Sequence, residues 1–516
     1  MKLNSQQGRT WSISIPDKEK RKENIMKELC KLSLVLMAVL ITILPLLTAC
    51  DDDDKKTTEV TQEPVEVTQE PTGGETPESA PPVIDEDVTD ILDDPTVRAE
   101  GTNVGELINI AQGVDQINDF IYLATGLANI YVVTTPQGHV VVDTGLYIQA
   151  SSQYEALKAV IPDAPITHII LPQAQQDDIG GVDLWSEEGT EIVMTRATSE
   201  YTTWRKMVNP ILESHFGVLY PWGFDPTTLP EDHPMRYQVV EPTIIVEDHE
   251  TYEFEVGGVQ FEVIPLPGAE GANSTGLWLP EHKVLLCGGG FVGPIWPMWP
   301  NFGTVRGDRG RLVMPYVDSI NRVLELEPEV LLVGNGEPAA ITDKEEIKQS
   351  LILIRDAMIY VHDAVLQGLS ERKDVYQLMR EIKLLPEYDA LSLEHGKVEW
   401  VIREIVNQYG FWFQYKSTTE LYPIPVTELY VDIVELAGVD ALIQRATERL
   451  KAGELVDVLH FTEMVLAGDP GNRSALQIQL DAINALMEEA RNTTNNFSEI
   501  ALLQAQIKAV EELLAE

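Results

Sequence analysis

The hydrophobic pattern of the chain changes period once, near Asp343, and this change limits the possible folds more than any other feature. Ahead of it, apolar residues come in short β-branched runs or alternate with polar ones, as strands require. The stretch "IYLATGLANIYVVTTPQGHVVVDTG" reads as two strands around a Pro-Gln-Gly turn, the second carrying Val140, Val141 and Val142. A helix over Gln153–Val160 and the strand "THIIL" follow, then a Gln/Asp-rich loop and a further helix–strand alternation. "TIIVEDHETYEFEVGGVQFEVIPLPG" alternates about Gly257-Gly258 as a hairpin does, and "STGLWLPEHKVLLCGGGF" suits a second strand pair turning at Pro280–Lys283. Strands interrupted by helices in this order predict an α/β sandwich in which helices cover two sheets. Beyond Asp343 the apolar spacing is three and four throughout, from "KEEIKQSLILIRDAMIYVHDAVLQGL" to "ALQIQLDAINALMEEA". That pattern predicts an all-helical second domain, punctuated by Gly453 and Pro470-Gly471, with no fixed repeat period.

The N-terminal part has a different texture. Lys27 and Lys31 flank an apolar run from Leu32 to Leu47 that contains Pro45 and closes in "LTAC". The run is short of the roughly 20 apolar residues that a spanning helix needs. Its layout resembles a bacterial lipoprotein signal, with Leu47-Thr48-Ala49 before a lipidated Cys50. Met26 is an alternative start. After Cys50 the hexapeptide EVTQEP occurs twice, and sixteen acidic residues stand against two lysines from Asp51 to Asp94. Such a segment cannot bury a core and is expected to be an extended, disordered tether. The boundaries read from the sequence are 1–49 for the upstream region and signal, 50–96 for the tether, 97–342 for the α/β domain and 343–516 for the helical domain. The folded part is expected to be extracytoplasmic, anchored to the membrane through Cys50. A formal charge of −46 argues against nucleic acid as a partner. With Cys30 leaving in the signal and Cys50 lipidated, Cys287 has no disulfide partner and reads as a core residue.

The loop "THIILPQAQQDDIGG" raises the functional question. Its ending, Asp-x-x-Gly-Gly after an apolar strand, resembles the metal-binding loop of the metallo-β-lactamase superfamily, T-H-x-H-x-D-H-x-G-G. Taken with "GLANIYVVTTPQGHVVVDTGL", "PGAEGANSTGLWLPEHKVLLCGG", "TVRG", "IRDAMIYVHDAVLQGL" and "ELYPIPVTELYVDIVELAG", it is similar to the alkyl sulfatase branch. The resemblance implies an αβ/βα sandwich followed by an α-helical dimerisation domain, hence a homodimer. It also implies a two-metal centre of histidines and carboxylates, and here most of those positions are changed. The first two loop histidines correspond to Gln173 and Gln175, the third to Asp178, a bridging acid to Gly289 and the last histidine to Asn335. Only Asp177 and Glu270 match.

Glutamine is a poor zinc ligand and glycine has no side chain, so a two-zinc centre is not expected. Three carboxylates and three amide oxygens, if they converge, suit Ca²⁺ or Mg²⁺ better. Two readings follow. One is a non-catalytic homologue that binds a ligand or serves as a dimeric scaffold, without a metal. The other is a metal-dependent hydrolase of alkyl sulfate or related esters with a rebuilt oxygen-rich site. None of the nine histidines has a partner at ligand spacing, and His362, His395 and His460 fall in the helical part. Asp143 is expected to support the loop by hydrogen bonding. Trp296, Trp299 and Phe302 of "GPIWPMWPNFG" line an apolar pocket or lid, form an interface or pack within their loop, and Arg306 and Glu337 are further pocket candidates.

Overall fold

In the computed structural model, residues 113–219, 236–336 and 339–516 are described. The signal, Cys50, the tether and Glu337 lie outside these residues. The first sheet has strands in chain order: β1 (Val114–Gln116), β2 (Ile121–Ala124), β3 (Ile130–Thr135), β4 (Gly138–Val142), β5 (Ile166–Ile170), β6 (Glu191–Thr195) and β7 (Ile244–Val246). It is antiparallel from β1 to β4 and parallel from β4 to β7. The second sheet runs β13 (Ala340–Ile341), β12 (Val330–Val333), β11 (Val284–Cys287), β10 (Thr275–Leu279), β9 (Val259–Pro265) and β8 (Tyr252–Val256).

The stretch 121–142, read above as two strands, forms three, because Thr125–Asn129 breaks the run. Gln153 holds that break by donating to the Ala124 and Ala128 carbonyls at 3.2 and 3.0 Å. The helix expected over Gln153–Val160 begins earlier, as α1 (Tyr147–Lys158). The turn at Gly257-Gly258 forms as expected, with Val256 paired to Val259 and both glycines at positive φ.

Packing follows the strand alternation. Val140 and Val142 face the second sheet, where they meet Phe261, Val263, Leu277 and Leu286. Val141 faces outward, with Leu157 of α1 and Trp185 of α2 (Val182–Trp185). Being buried on both sides explains why β4 is a continuous apolar run. The long helix α3 (Arg196–Leu219) follows β6. On the far side, the second sheet carries α4 (Gly289–Val292), α5 (Val313–Leu326) and α6 (Lys344–Ser370). The result is helix, sheet, sheet, helix.

The change of sequence texture at Asp343 is therefore not a break in packing. Ile347, Leu351, Ile354, Met358 and Val361 of α6 share one core with Leu285, Cys287, Leu331 and Val333 of the second sheet. Helices α7 (Val375–Glu381) and α8 (Val398–Tyr409) extend this layer. Separate smaller cores begin only with α9 (Tyr430–Ala437), α10 (Val439–Ala452), α11 (Leu455–Gly468), α12 (Arg473–Asn492) and α13 (Phe497–Ala515). Cys287 is buried. Among the described residues no helix is long and apolar enough to cross a membrane.

Candidate functional site

The loop after β5 doubles back against the end of β4 because Gly180 and Gly181 let it approach. A Cβ on Gly180 would lie 2.2 Å from the Tyr147 nitrogen, and one on Gly181 2.4 Å from the Thr144 carbonyl oxygen. The Thr144 hydroxyl and amide both donate to the Asp178 carbonyl, at 2.7 and 3.0 Å. Asp143, itself at φ 71°, accepts from the amides of Thr144 and Gly145 at 2.7 and 3.1 Å. This fixes the turn that presents Asp177 and Asp178.

The substituted positions do come together, but they bond to one another and to other side chains. Gln173 donates to Asp178 Oδ1 at 3.2 Å. Asn335 donates to the Leu127 carbonyl at 2.7 Å and to Asp177 Oδ2 at 3.4 Å. Gln175 accepts from Arg306 at 3.1 Å and donates to the Glu270 carbonyl at 3.3 Å. At Gly289 a Cβ would lie 1.3 Å from Asn335 Oδ1. A side chain at 289 and Asn335 as placed thus exclude each other.

Glu270 is the hub of a second cluster. Its backbone is pinned by its own amide donating to the Gly290 carbonyl at 2.8 Å. Arg306 and Arg311 each approach its Oε2 at 3.5 Å, while Asp308 Oδ2 is 2.9 Å from Arg311 and 3.7 Å from Arg306. His395 Nε2 contacts Glu270 Oε1 and stands 3.0 Å from the Asn301 amide nitrogen. Burial alone would raise the Glu270 carboxyl, but His395, Arg311 and Arg306 outweigh it and hold the group down at about 2.

No motif or spacing marks His395, Arg311 or Asp308 as members of this cluster. They come from loops distant in the chain, and histidine spacing cannot register a contact between the helical part and the β9–β10 loop. The one local trace is Gly396, where a Cβ would lie 2.4 Å from the Pro300 carbonyl oxygen.

Asp177, Asp178 and Asp143 form the acidic side. Burial pushes all three up; Arg306 opposes this at Asp177, and Asp178 is raised further by its two neighbours. Asp143 is pushed up to about 7. The folded protein therefore retains a proton there that the unfolded chain releases near pH ~4. This group's contribution to stability is full below pH ~4 and is lost as pH rises to about 7. Urea midpoints at about pH 5 and about pH 7.5 should show this loss, and Asp143→Asn should reduce it, with Asp177 and Asp178 keeping their own share.

The aromatic loop packs rather than lining a pocket. Trp299 and Phe302 are fully buried in the core of the second sheet, with Phe302 edge-on to Tyr316 at 5.9 Å. Trp296 is partly buried against the same core. Of the pocket candidates, Arg306 sits in the Glu270 cluster and Asp143 supports the turn.

The donor set does not fit a two-metal centre. Two amides, a glycine and an asparagine stand at the matched positions, and the retained Glu270 is already neutralised by guanidinium groups. Among the described residues no three His, Cys, Asp or Glu side chains form a group suited to a metal ion.

Residues 123–335 match the metallo-β-lactamase superfamily, and residues 379–501 match the alkyl sulfatase dimerisation family. Similar proteins include a linear primary-alkylsulfatase from Pseudomonas sp., 25% identical over 60% of this chain and 60% of the relative. An alkyl/aryl-sulfatase from Saccharomyces cerevisiae is 22% identical over 75% of this chain and 62% of its own length. The solved stereoselective inverting sec-alkylsulfatase from Pseudomonas sp. shares the fold, with a TM-score of 0.66 at 19% identity, covering 78% of this chain and 66% of that one. The chain is thus a metallo-β-lactamase-fold domain joined to an alkyl sulfatase dimerisation domain. Within that class it is homologous to alkylsulfatases, and it spans about 60% of the length of the first curated relatives it matches.

Proposed function

We propose that this protein is a non-catalytic alkylsulfatase homologue, held outside the cytoplasm by a lipidated Cys50, that acts as a homodimer in ligand binding or as a scaffold. One observation carries the reading: at the matched metal-ligand positions, direct bonds among protein groups stand where metal–ligand bonds would. Gln173 is tied to Asp178, Gln175 to Arg306 and Asn335 to Asp177. Arg306 and Arg311 supply positive charge at Glu270, but a guanidinium cannot polarise water into a hydroxide nucleophile as a metal does.

The purified full chain, offered linear and secondary alkyl sulfates together with Ca²⁺, Mg²⁺, Mn²⁺ or Zn²⁺ in turn, is expected to release no sulfate above the uncatalysed rate. Metal-dependent sulfate release that Asp177→Asn abolishes would overturn the proposal. A second reading, a hydrolase with an oxygen-rich Ca²⁺ or Mg²⁺ site, draws support from the buried Gln173 Oε1, which lacks a protein hydrogen bond. The same assay separates the two readings.

A further inference from the structure

His395 reaches Glu270 from a short stretch, residues 392–397, that is held from two sides. On one side lies the aromatic loop. The Trp299 amide donates to the Ser392 carbonyl at 2.8 Å, and the Ser392 amide to the Pro297 carbonyl at 3.1 Å. On the other side lies the first turn of α13. There the Phe497 amide donates to the Glu394 carbonyl at 3.0 Å, and the Asn496 side chain donates to the Leu393 carbonyl at 3.0 Å. Asn496 also caps the helix, accepting from the Glu499 amide at 3.1 Å. The Phe497 ring stacks on His395 with centroids 4.5 Å apart, and Lys397 Nζ meets both Glu499 carboxylate oxygens at 2.7 Å.

This seam joins two bodies that are each packed without it. Helices α12 and α13 bury Leu476, Ile483, Ile500, Leu503 and Val510 in a core of their own, separate from the core of the second sheet. The Lys397–Glu499 pair is 20% and 23% exposed, so water screens it in part. A joint of one ring stack, two hydrogen bonds and one partly solvated ion pair opens at lower cost than either core. α13 also lies against α3, whose Tyr201 donates to Asp308 Oδ1 at 3.1 Å. The helix therefore touches elements on both sides of the Glu270 cluster.

We propose that α13 is an autoinhibitory strap: docked, it seats His395 on Glu270, and undocked, it opens that carboxylate to a ligand. With the strap in place neither oxygen of Glu270 is open, since His395 covers Oε1 while Arg306 and Arg311 address Oε2. The arginines belong to the loop beside Glu270, and only the histidine is tied to a helix from the far end of the chain. Undocking removes the ring stacked on the imidazole and the two bonds that fix Leu393 and Glu394. The ring can then turn off Oε1, which is left to accept from a ligand N–H or O–H. A donor ligand at Oε1 and a docked strap oppose each other, so each weakens the other by the same factor. The purpose of the strap rests on the ligand-binding reading of the site, whereas the coupling of α13 to His395 does not.

The test is hydrogen exchange of the full chain in detergent, read by mass spectrometry, with carbethoxylation of His395 followed on the same peptides. In Asn496→Ala/Phe497→Ala/Glu499→Ala, residues 391–397 and 497–515 are expected to exchange at least about tenfold faster than in wild type, and His395 to be labelled faster by a similar factor. Strands β9 to β12 should keep their wild-type exchange. Glu499→Lys should move both segments in the same direction, and Lys397→Glu/Glu499→Lys should return them toward wild type, because the reversed pair restores the seam. If the triple variant does not fold, Glu499→Lys and the reversed pair carry the test. His395 labelled at the wild-type rate while 497–515 is released would overturn the strap, since the aromatic loop would then hold the ring by itself. Faster exchange in β9 to β12 as well would also overturn it, because α13 would then be part of the stability of the whole fold and not a switch upon it. No change in either segment in any variant would show that the seam does not hold the helix, and the inference would fail.

Discussion

Glu270→Ala is expected to destabilise the protein by about 3–5 kcal/mol, because it leaves charges buried without their partner. Arg311 is 2% exposed and Arg306 is largely covered, and both guanidinium groups address Glu270 Oε2. Asp308 would still pair with Arg311, which places the expected loss toward the lower end of that range. Urea unfolding with wild type alongside measures the effect. The loss should be the same with and without a chelator, since Glu270 is held by arginines and His395. If the loss appears only in metal-replete protein, Glu270 is a ligand and its arginine pairing is secondary. A neutral result would mean that the cluster is not electrostatically bound at all.

Gly289→Asp, which restores the acid found in the resembling family, is expected to cost about 3 kcal/mol. The new Cβ would fall on Asn335 Oδ1, so Asn335 must rotate and give up its bond to the Leu127 carbonyl. The carboxylate would also come near Asp177, which Asn335 contacts at 3.4 Å and whose carboxyl burial already pushes up. Gly289→Ala isolates the steric part of the cost. Combining it with Asn335→Ala should cost less than the sum of the two single changes, because each alone disturbs the same space. Strict additivity by urea unfolding would show that the two positions do not compete. On this geometry asparagine as placed at 335 requires glycine at 289.

How much of this was legible in the sequence depended on the distance over which each feature acts. The β8–β9 hairpin could be read because Gly257-Gly258 and the alternation around it are local. Gly180 and Gly181 stand in the sequence only as the end of the Asp-x-x-Gly-Gly motif; the fold shows that they serve close approach to Tyr147 and Thr144. The break between β2 and β3 was missed because Gln153, a helix residue, holds it by long-range hydrogen bonds. The change of period at Asp343 correctly marked the end of the strands but not the end of the core, since α6 buries its apolar face on the second sheet. At the site, the order of Gln173, Gln175, Asp177 and Asp178 was visible. The partners that hold Gln175 and Glu270 were not, because Arg306, Arg311 and His395 are brought to them by the fold.

Metal content tests most directly whether protein bonds stand in place of metal–ligand bonds. The full chain, purified without chelator and then offered calcium, magnesium, manganese and zinc in turn, should contain less than about 0.1 metal ion per chain by elemental mass spectrometry after desalting, with Asp177→Asn/Asp178→Asn no different. About one or two ions per chain, lost in that double variant, would contradict that replacement and show a metal site on these carboxylates.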